Sequence, residues 1–351
     1  MITALQLSAG NGIGTSIVAE PPMTQADLIW TRPEWLAEAV AWIRERVEVT
    51  GEIEQPHVYW WSTVLRVPTA SGDVWFKACH PSHGFEPALT VELARLRPQR
   101  VIEVLAADPQ RGWMLTADAG ARLRELLASE DDLTRWEEFL PLYADVQLAA
   151  VASAGRLRGL GVPDERLAGL PARFERVLAD RDVLVVDRED GLHPGQHASL
   201  LASVPEVQRL CAELAAVGIP ETVQHDDLHD GNVFVRDGEY LVFDWGDSCV
   251  SHPFHTLAVT LRATAWRFGL EPGASSLERM RDAYLEPFGA YGSRVELLDA
   301  FATGYRLGTI ARALSWYRAV EAHPAIEPDD SDSVPYGLKL FLKNGPIGTW
   351  Q

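Results

Sequence analysis

The sequence predicts an α+β chain of two lobes, a small β-rich lobe followed by a larger, mainly helical one. Three observations lead there. Strand-like runs cluster between residues 58 and 116, with one helical run among them. From residue 121 onward a helical period dominates. The 351 residues are enough for two lobes and a large core. The division read from this pattern is an arm over 1–24, a first lobe over 25–117 and a second lobe over 118–351.

Residues 1–22 are broken up by Gly, Ser and Pro and read as a loose arm. The glycine string at 10–14 follows no strand, so it reads as linker. After Pro33 the apolar spacing over 35–47 predicts an amphipathic helix. Strands are expected over 58–69, 73–78, 101–107 and 113–116. The turns between them are Ala70-Ser71-Gly72 and the five residues 108–112. A helix is expected over 86–96. Later helices are expected over 123–129, 133–154, 165–179, 198–217, 253–268, 276–288 and 293–320. Residues 327–332 read as a solvated acidic loop. No internal repeat appears.

One stretch interrupts the helical region and carries most of the chemistry. Residues 223–247 read VQHDDLHDGNVFVRDGEYLVFDWGD. A loop carries His225, Asp227 and Asn232. A short strand follows, then an Asp237-Gly238 turn, then a second strand that delivers Asp244. Turn-forming residues alone would give an ordinary hairpin with acidic turns. They do not account for His225, Asp227, Asn232 and Asp244 standing together at this spacing. Phosphoryl transfer to a hydroxyl does account for it. A carboxylate must take the hydroxyl proton, and Asp227 is placed for that. Hard divalent ions must neutralise the phosphates, and they prefer oxygen ligands. Asn232 offers an amide oxygen and Asp244 a carboxylate, brought together by the hairpin. Asp226 competes for the base, but the D-x-x-x-x-N spacing selects Asp227.

With these residues the chain resembles the aminoglycoside phosphotransferase and choline kinase family, small-molecule relatives of protein kinases. The family commonly shows H-G-D-L-H-x-x-N and then a D-x-G-D segment. Here these read His225-Asp226-Asp227-Leu228-His229-Asp230-Gly231-Asn232 and Asp244-Trp245-Gly246-Asp247. The resemblance implies a bilobal protein-kinase-like fold with catalytic loop 225–232 and metal segment 244–247. It implies Asp227 as base, Asn232 and Asp244 as Mg²⁺ ligands, and His225 as a structural member of the loop. Two departures stand out. Asp226 occupies a frequent Gly position, and residues Val250-Ser251-His252-Pro253-Phe254-His255-Thr256-Leu257-Ala258 stand where a G-D-P-x-x-D-L-A continuation is frequent.

The rest of the nucleotide site follows with less definition. Lys77, one of three lysines in the chain, lies in an apolar strand and would reach phosphate oxygens of ATP or GTP. Its carboxylate partner is Glu86 or Glu92; the resemblance places this carboxylate early on the helix, which implies Glu86 and leaves Glu92 open. Ser62 and Thr63 stand where a phosphate-covering turn belongs, but serve equally well as strand residues. Residues 114–118, with Thr116 and Asp118, should form the hinge that meets the purine. Asp247 would face the acceptor and attract an ammonium group.

Composition narrows the partners. A formal net charge of −19 argues against nucleic acid and suits a cationic substrate. The first acceptor that the resemblance implies, and the charge suits, is an aminoglycoside or other amino-sugar, with choline-, homoserine- or macrolide-like compounds behind it. No apolar run is long enough to span a membrane, no signal peptide is evident, and three scattered cysteines fit reduced thiols in a cytoplasm. Oligomeric state is not readable. The alternatives are a nucleotide-binding pseudokinase, against which the complete residue set argues, and a protein kinase, against which the lack of an A-P-E segment argues.

Overall fold

The computed structural model describes residues 28–322 and 332–350. The expected arm at 1–24, its glycine string and positions 327–331 of the acidic loop lie outside the described residues.

The first helix, α1 (Pro33–Arg44), opens on a proline suited to its first turn and buries Trp35, Ala39, Trp42 and Ile43 along one face. That face lies on an antiparallel five-stranded sheet. Its strands are β1 (Glu54–Val58), β2 (Ser62–Thr69), β3 (Gly72–Cys79), β4 (Val104–Asp108) and β5 (Trp113–Ala117), in spatial order β1-β2-β3-β5-β4. Trp42 meets Phe76 and Trp35 meets Trp113, with ring centroids 5.6 and 5.8 Å apart. Because side chains alternate along a strand, Val74, Phe76 and Ala78 face α1. Lys77 and Cys79 then face the other way, where α2 (Glu86–Leu96) crosses.

Two strand expectations need correction. The run 58–69 is not one strand but a hairpin whose turn is Tyr59-Trp60-Trp61. Aromatic residues favour strands, so the pattern reads straight through this turn. The expected 101–107 strand begins only at Val104. Val101 forms an isolated parallel bridge with Val242, and Ile102 donates its N–H to the Val242 carbonyl.

The larger lobe holds α3 (Leu123–Leu126), α4 (Thr134–Ala150), α5 (Ala154–Gly159), α6 (Leu170–Ala179), α7 (Pro194–Ala202), α8 (Val204–Ala216), α9 (Leu257–Phe268), α10 (Ser275–Leu285), α11 (Arg294–Ala322) and α12 (Ser333–Lys343). Two short sheets are threaded among them: β6 (Ala121–Arg122) with β8 (Val233–Arg236) and β9 (Glu239–Val242), and β7 (Thr222–Gln224) with β10 (Cys249–Ser251). The expected 198–217 helix is two helices, since Pro205 lacks the N–H that a continuous helix needs and starts α8 instead. The expected 165–179 helix starts late for the same reason, at Leu170-Pro171.

Sequence reading missed α12. Its Pro335 and Gly337 resemble breakers. In place they serve packing: a Cβ on Gly337 would lie 2.9 Å from the Thr309 carbonyl oxygen, so only glycine lets α12 close on α11. The core of the large lobe reaches across to Leu89 and Leu93 of α2, while Ala319 and Trp316 of α11 pack into the core of the small lobe. Cys79, Cys211 and Cys249 are buried and form no disulfide. Among the described residues no helix is long and apolar enough to cross a membrane.

Candidate active site

The catalytic-loop segment is held from behind by α4. Tyr143 Oη accepts the His225 N–H at 3.1 Å, and Gln147 Nε2 donates to the Val223 carbonyl at 3.1 Å. Both partners are fully buried, so these bonds fix the loop without competition from water. His225 joins the two halves of the motif. Its Nε2 donates to the Phe243 carbonyl at 2.9 Å, and its Nδ1 accepts the Asp227 N–H at 3.3 Å. Burial lowers its pKa, which keeps the ring neutral and able to do both.

Asp226 has φ of 63°, the left-handed region that Gly enters freely. This explains a glycine at that position in relatives. Here the aspartate is tolerated because Gln224 answers it twice: the Asp226 N–H donates to Gln224 Oε1, and Gln224 Nε2 donates to Asp226 Oδ1, each at 2.8 Å. The other carboxyl oxygen is buried without a partner, and burial pushes the group up to about 7.

Asp227 points elsewhere. Its Oδ1 accepts from Arg312 Nη2 at 2.9 Å, and its Oδ2 lies 3.6 Å from His229 Nε2. Burial pushes its pKa up to about 6, while Arg312 pulls it down. Asn232 donates through Nδ2 to the Asp227 carbonyl at 2.9 Å and lies 3.4 Å from its carboxylate. With Nδ2 so engaged, the Asn232 amide oxygen is turned away from the loop.

A two-residue turn of positive φ, Asp237-Gly238, joins β8 to β9 and fits their twist. The hairpin ends at Asp244, itself left-handed with φ of 64°. One oxygen of Asp244 pairs with Lys77 Nζ at 2.5 Å, and the same Nζ pairs with Glu86 Oε1 at 2.7 Å. Burial disfavours charge on Asp244, but Lys77 outweighs it and holds the carboxyl below its usual range. The partner of Lys77 is thus Glu86. Glu92 pairs instead with Arg95 and Arg156, at 2.8 and 3.2 Å. Gly246 passes so near this cluster that a Cβ there would lie 3.1 Å from Glu86 Oε2.

The remaining expected positions divide. Asp118 accepts Trp75 Nε1–H at 3.0 Å and the Gly120 N–H at 2.9 Å, at the exit from the sheet. Thr116 is buried opposite Trp75, to whose carbonyl its hydroxyl is directed. Thr63 does not offer its hydroxyl to a ligand: the group donates to the His57 carbonyl and accepts from Gln55. Ser62 is also buried, its Oγ 3.4 Å from His57 Nε2. The turn falls before them, at Tyr59-Trp60-Trp61, so both are strand residues. Asp247 is not a free anion either. Ser315 Oγ donates to it at 3.0 Å, Arg312 Nη1 lies 3.3 Å away, and Arg318 bonds its carbonyl at 3.2 Å.

Sequence reading missed α11. Arg312, Ser315 and Arg318 recur every three residues, along one side of a helix otherwise rich in Ala and Leu. That spacing was the available signal. Arg312 links the two acidic positions, Asp227 and Asp247, and its guanidinium lies 5.2 Å from the Trp316 ring, which contacts Trp61.

This site, two lobes around a Lys–Glu pair and an Asp–Asn loop, defines a protein-kinase-like phosphotransferase. The model of the APH phosphotransferase enzyme family matches residues 62–298, and the chain belongs to that family. It is a phosphotransferase. No curated protein sequence matches it. Similar solved structures include choline kinase from Cryptosporidium parvum Iowa II, with 11% identity, TM-score 0.59 and coverage of 88% of this chain and 95% of that one. Macrolide 2'-phosphotransferase MphH from Brachybacterium faecium has 16% identity and TM-score 0.50, with coverage of 83% and 98%. Amicoumacin kinase hAmiN, in complex with AMP-PNP, Ca²⁺ and Ami, has 12% identity and TM-score 0.52, with coverage of 90% and 95%.

Proposed function

We propose that this enzyme moves the γ-phosphoryl group of ATP or GTP onto a hydroxyl of a small molecule, with Asp227 as the base. The observation that carries the reading is the ion cluster of Lys77, Glu86 and Asp244. Three separate elements supply it, and the His225–Phe243 bond ties it to the Asp227 loop. Glu86 aims Lys77 at the α- and β-phosphates. Asp227 sits at the head of its loop, restrained by Arg312, and accepts the proton of the attacking hydroxyl.

The oxygens left over fit a hard divalent ion. Among the described residues no hydrogen bond engages the amide oxygen of Asn232 or the second carboxyl oxygen of Asp244, and both are oxygen ligands. Mg²⁺ held there would neutralise charge on the transferring phosphate. The structure of hAmiN with a nucleotide analogue and a divalent ion supports this by analogy.

The acceptor deserves a second reading. An amino-sugar follows from the overall charge, but Asp247 already has its charge matched by Arg312 and Ser315. Trp61 and Trp316 lie on the same side. We therefore place uncharged ring compounds bearing hydroxyls ahead of polycations. A test is to incubate the enzyme with Mg–ATP and two acceptor panels, neutral and polycationic, and to follow ADP release and the acceptor's gain of one phosphate by mass spectrometry. Absence of calorimetric binding of Mg–AMP-PNP would sink the nucleotide reading. Binding without transfer to either panel would favour a pseudokinase.

A further inference from the structure

A cavity lined by arginines lies in the helical lobe. It is bounded by α9, α10, α11, α12 and the segment that follows α12, and its volume is about 290 Å³. That is room for roughly ten waters. In a chain of net charge −19 its lining is unexpected: Arg262, Arg281 and Arg306 against one carboxylate, Glu278.

The three arginines are not equivalent. Arg306 is paired with Glu206 at 2.6 Å, and Arg281 with Asp282 at 2.8 Å and Glu278 at 3.9 Å. Arg262 has no carboxylate partner among the described residues. It is 8% exposed. Its Nε donates to the Ala258 carbonyl at 2.5 Å, and its buried Nη1 has no partner. The ring of Tyr336, 5.6 Å from the guanidinium carbon, is a weak substitute for an anion. A guanidinium cannot escape by losing its proton. A buried, unpaired charge of this kind is strongly unfavourable unless a counter-charge reaches it.

We propose that this cavity is an anion-binding site, distinct from the phosphotransfer cleft, whose ligand is a small molecule bearing a phosphate or carboxylate group. Arg262 supplies the unmatched charge, and Arg281 and Arg306 flank it. Planar guanidinium donors suit the paired oxygens of either group. Tyr305 and Thr309 lie in the same wall, with their hydroxyls already bonded to the Gly348 N–H and the Arg306 carbonyl. The site borders on the catalytic machinery through two helices. Thr260 of α9 donates to the Leu228 carbonyl of the catalytic loop at 2.7 Å, and α11 carries both Arg306 and Arg312.

The test uses the whole protein, with orthophosphate and citrate as probes against chloride at matched ionic strength. Thermal unfolding of the wild type should rise by about 4 °C when a probe reaches a hundredfold excess over its Kd. The probe with the larger shift separates a phosphate ligand from a carboxylate one. Lys77→Met, which disables the phosphate side of the cleft, should keep the shift. Arg262→Met should lose it, and in probe-free chloride buffer should melt no lower than the wild type, because it removes an unpaired buried charge. Arg281→Gln, on the cavity wall, should weaken probe binding by calorimetry even if Arg262→Met folds poorly. The proposal is overturned if neither probe exceeds chloride, if Arg262→Met and Arg281→Gln respond as the wild type does, or if Lys77→Met alone abolishes the shift.

Discussion

On one wall of the cleft a single ammonium, Lys77, lies between two carboxylates, Glu86 and Asp244. On the other a single guanidinium, Arg312, lies between two carboxylates, Asp227 and Asp247. The count is the same but the outcome differs. Asp244 is 41% exposed at its side chain and keeps one oxygen uncommitted, so the first wall retains negative charge for a cation. On the second wall Ser315 and Arg318 add to Arg312, and the carboxylates are largely answered. A surplus suits holding a metal ion. A balance suits holding a base near neutral pKa and gives a charged acceptor little to grip.

The sharpest break in the comparison should come from Asp227→Asn. Turnover should fall about 10²–10⁴-fold, the usual worth of a positioned base. Calorimetric affinity for Mg–AMP-PNP should not change. Retention of a third of the rate, with Asp226→Asn inactive, would move the base to Asp226. Next, Asp244→Ala should weaken nucleotide binding about 10–100-fold in Mg²⁺ but far less in EDTA, since it removes a metal oxygen. Equal affinities of mutant and wild type in Mg²⁺ would take Asp244 out of the metal site.

Asp226 tests the cost of the buried carboxylate that replaces glycine. Its folded pKa is about 7, against a usual value of 3.8. The folded state therefore holds a proton that the unfolded chain has lost. Its contribution to stability is complete below pH 3.8 and disappears as pH rises through about 7, a loss on the order of a few kcal/mol. Asp226→Asn should escape that loss. Urea unfolding at pH 5 and pH 8 should show the mutant gaining on the wild type at the higher pH, and parallel curves would refute it.

Arg312 offers a finer measure. Asp227 must be ionised to act, so kcat/KM should rise with pH through about 6. Arg312 favours the ionised form, so Arg312→Ala should move that limb upward by about one unit. An unmoved limb would leave Arg312 a merely structural role. The smallest effect concerns salt. If the acceptor wall is balanced, the KM for the acceptor should change less than about twofold between 0.05 and 0.5 M salt, where exposed charges become screened. A steep rise would restore the cationic acceptor.

Most of the phosphate wall was legible because its residues stand in short, local patterns. The loop 225–232, the Asp237-Gly238 turn and Asp244 form one hairpin, and a hairpin is specified by neighbours in sequence. Lys77 was visible as a lone charge in an apolar strand. Its choice of Glu86 over Glu92 was favoured only by the resemblance, since both lie on α2 and the crossing of that helix over β3 decides. Between the two readings of Ser62 and Thr63, the structure places them in β2, with the turn before them: the turn at Tyr59-Trp60-Trp61 is written in strand-favouring aromatics, and its position depends on where those rings bury.

By itself the sequence determined the class of chemistry, the two-lobed α+β architecture and the hairpin that carries Asp227, Asn232 and Asp244, because each rests on periodicity or spacing within a few tens of residues. The tertiary structure alone decided what surrounds them. Arg312 lies 85 residues from Asp227 and 65 from Asp247, and joins them because α11 packs across the lobe. α12 forms because Gly337 permits contact with α11. Arg262 is stranded because four helices close around it. Burial and ion pairing arise between segments whose separation along the chain carries no information about their distance in space.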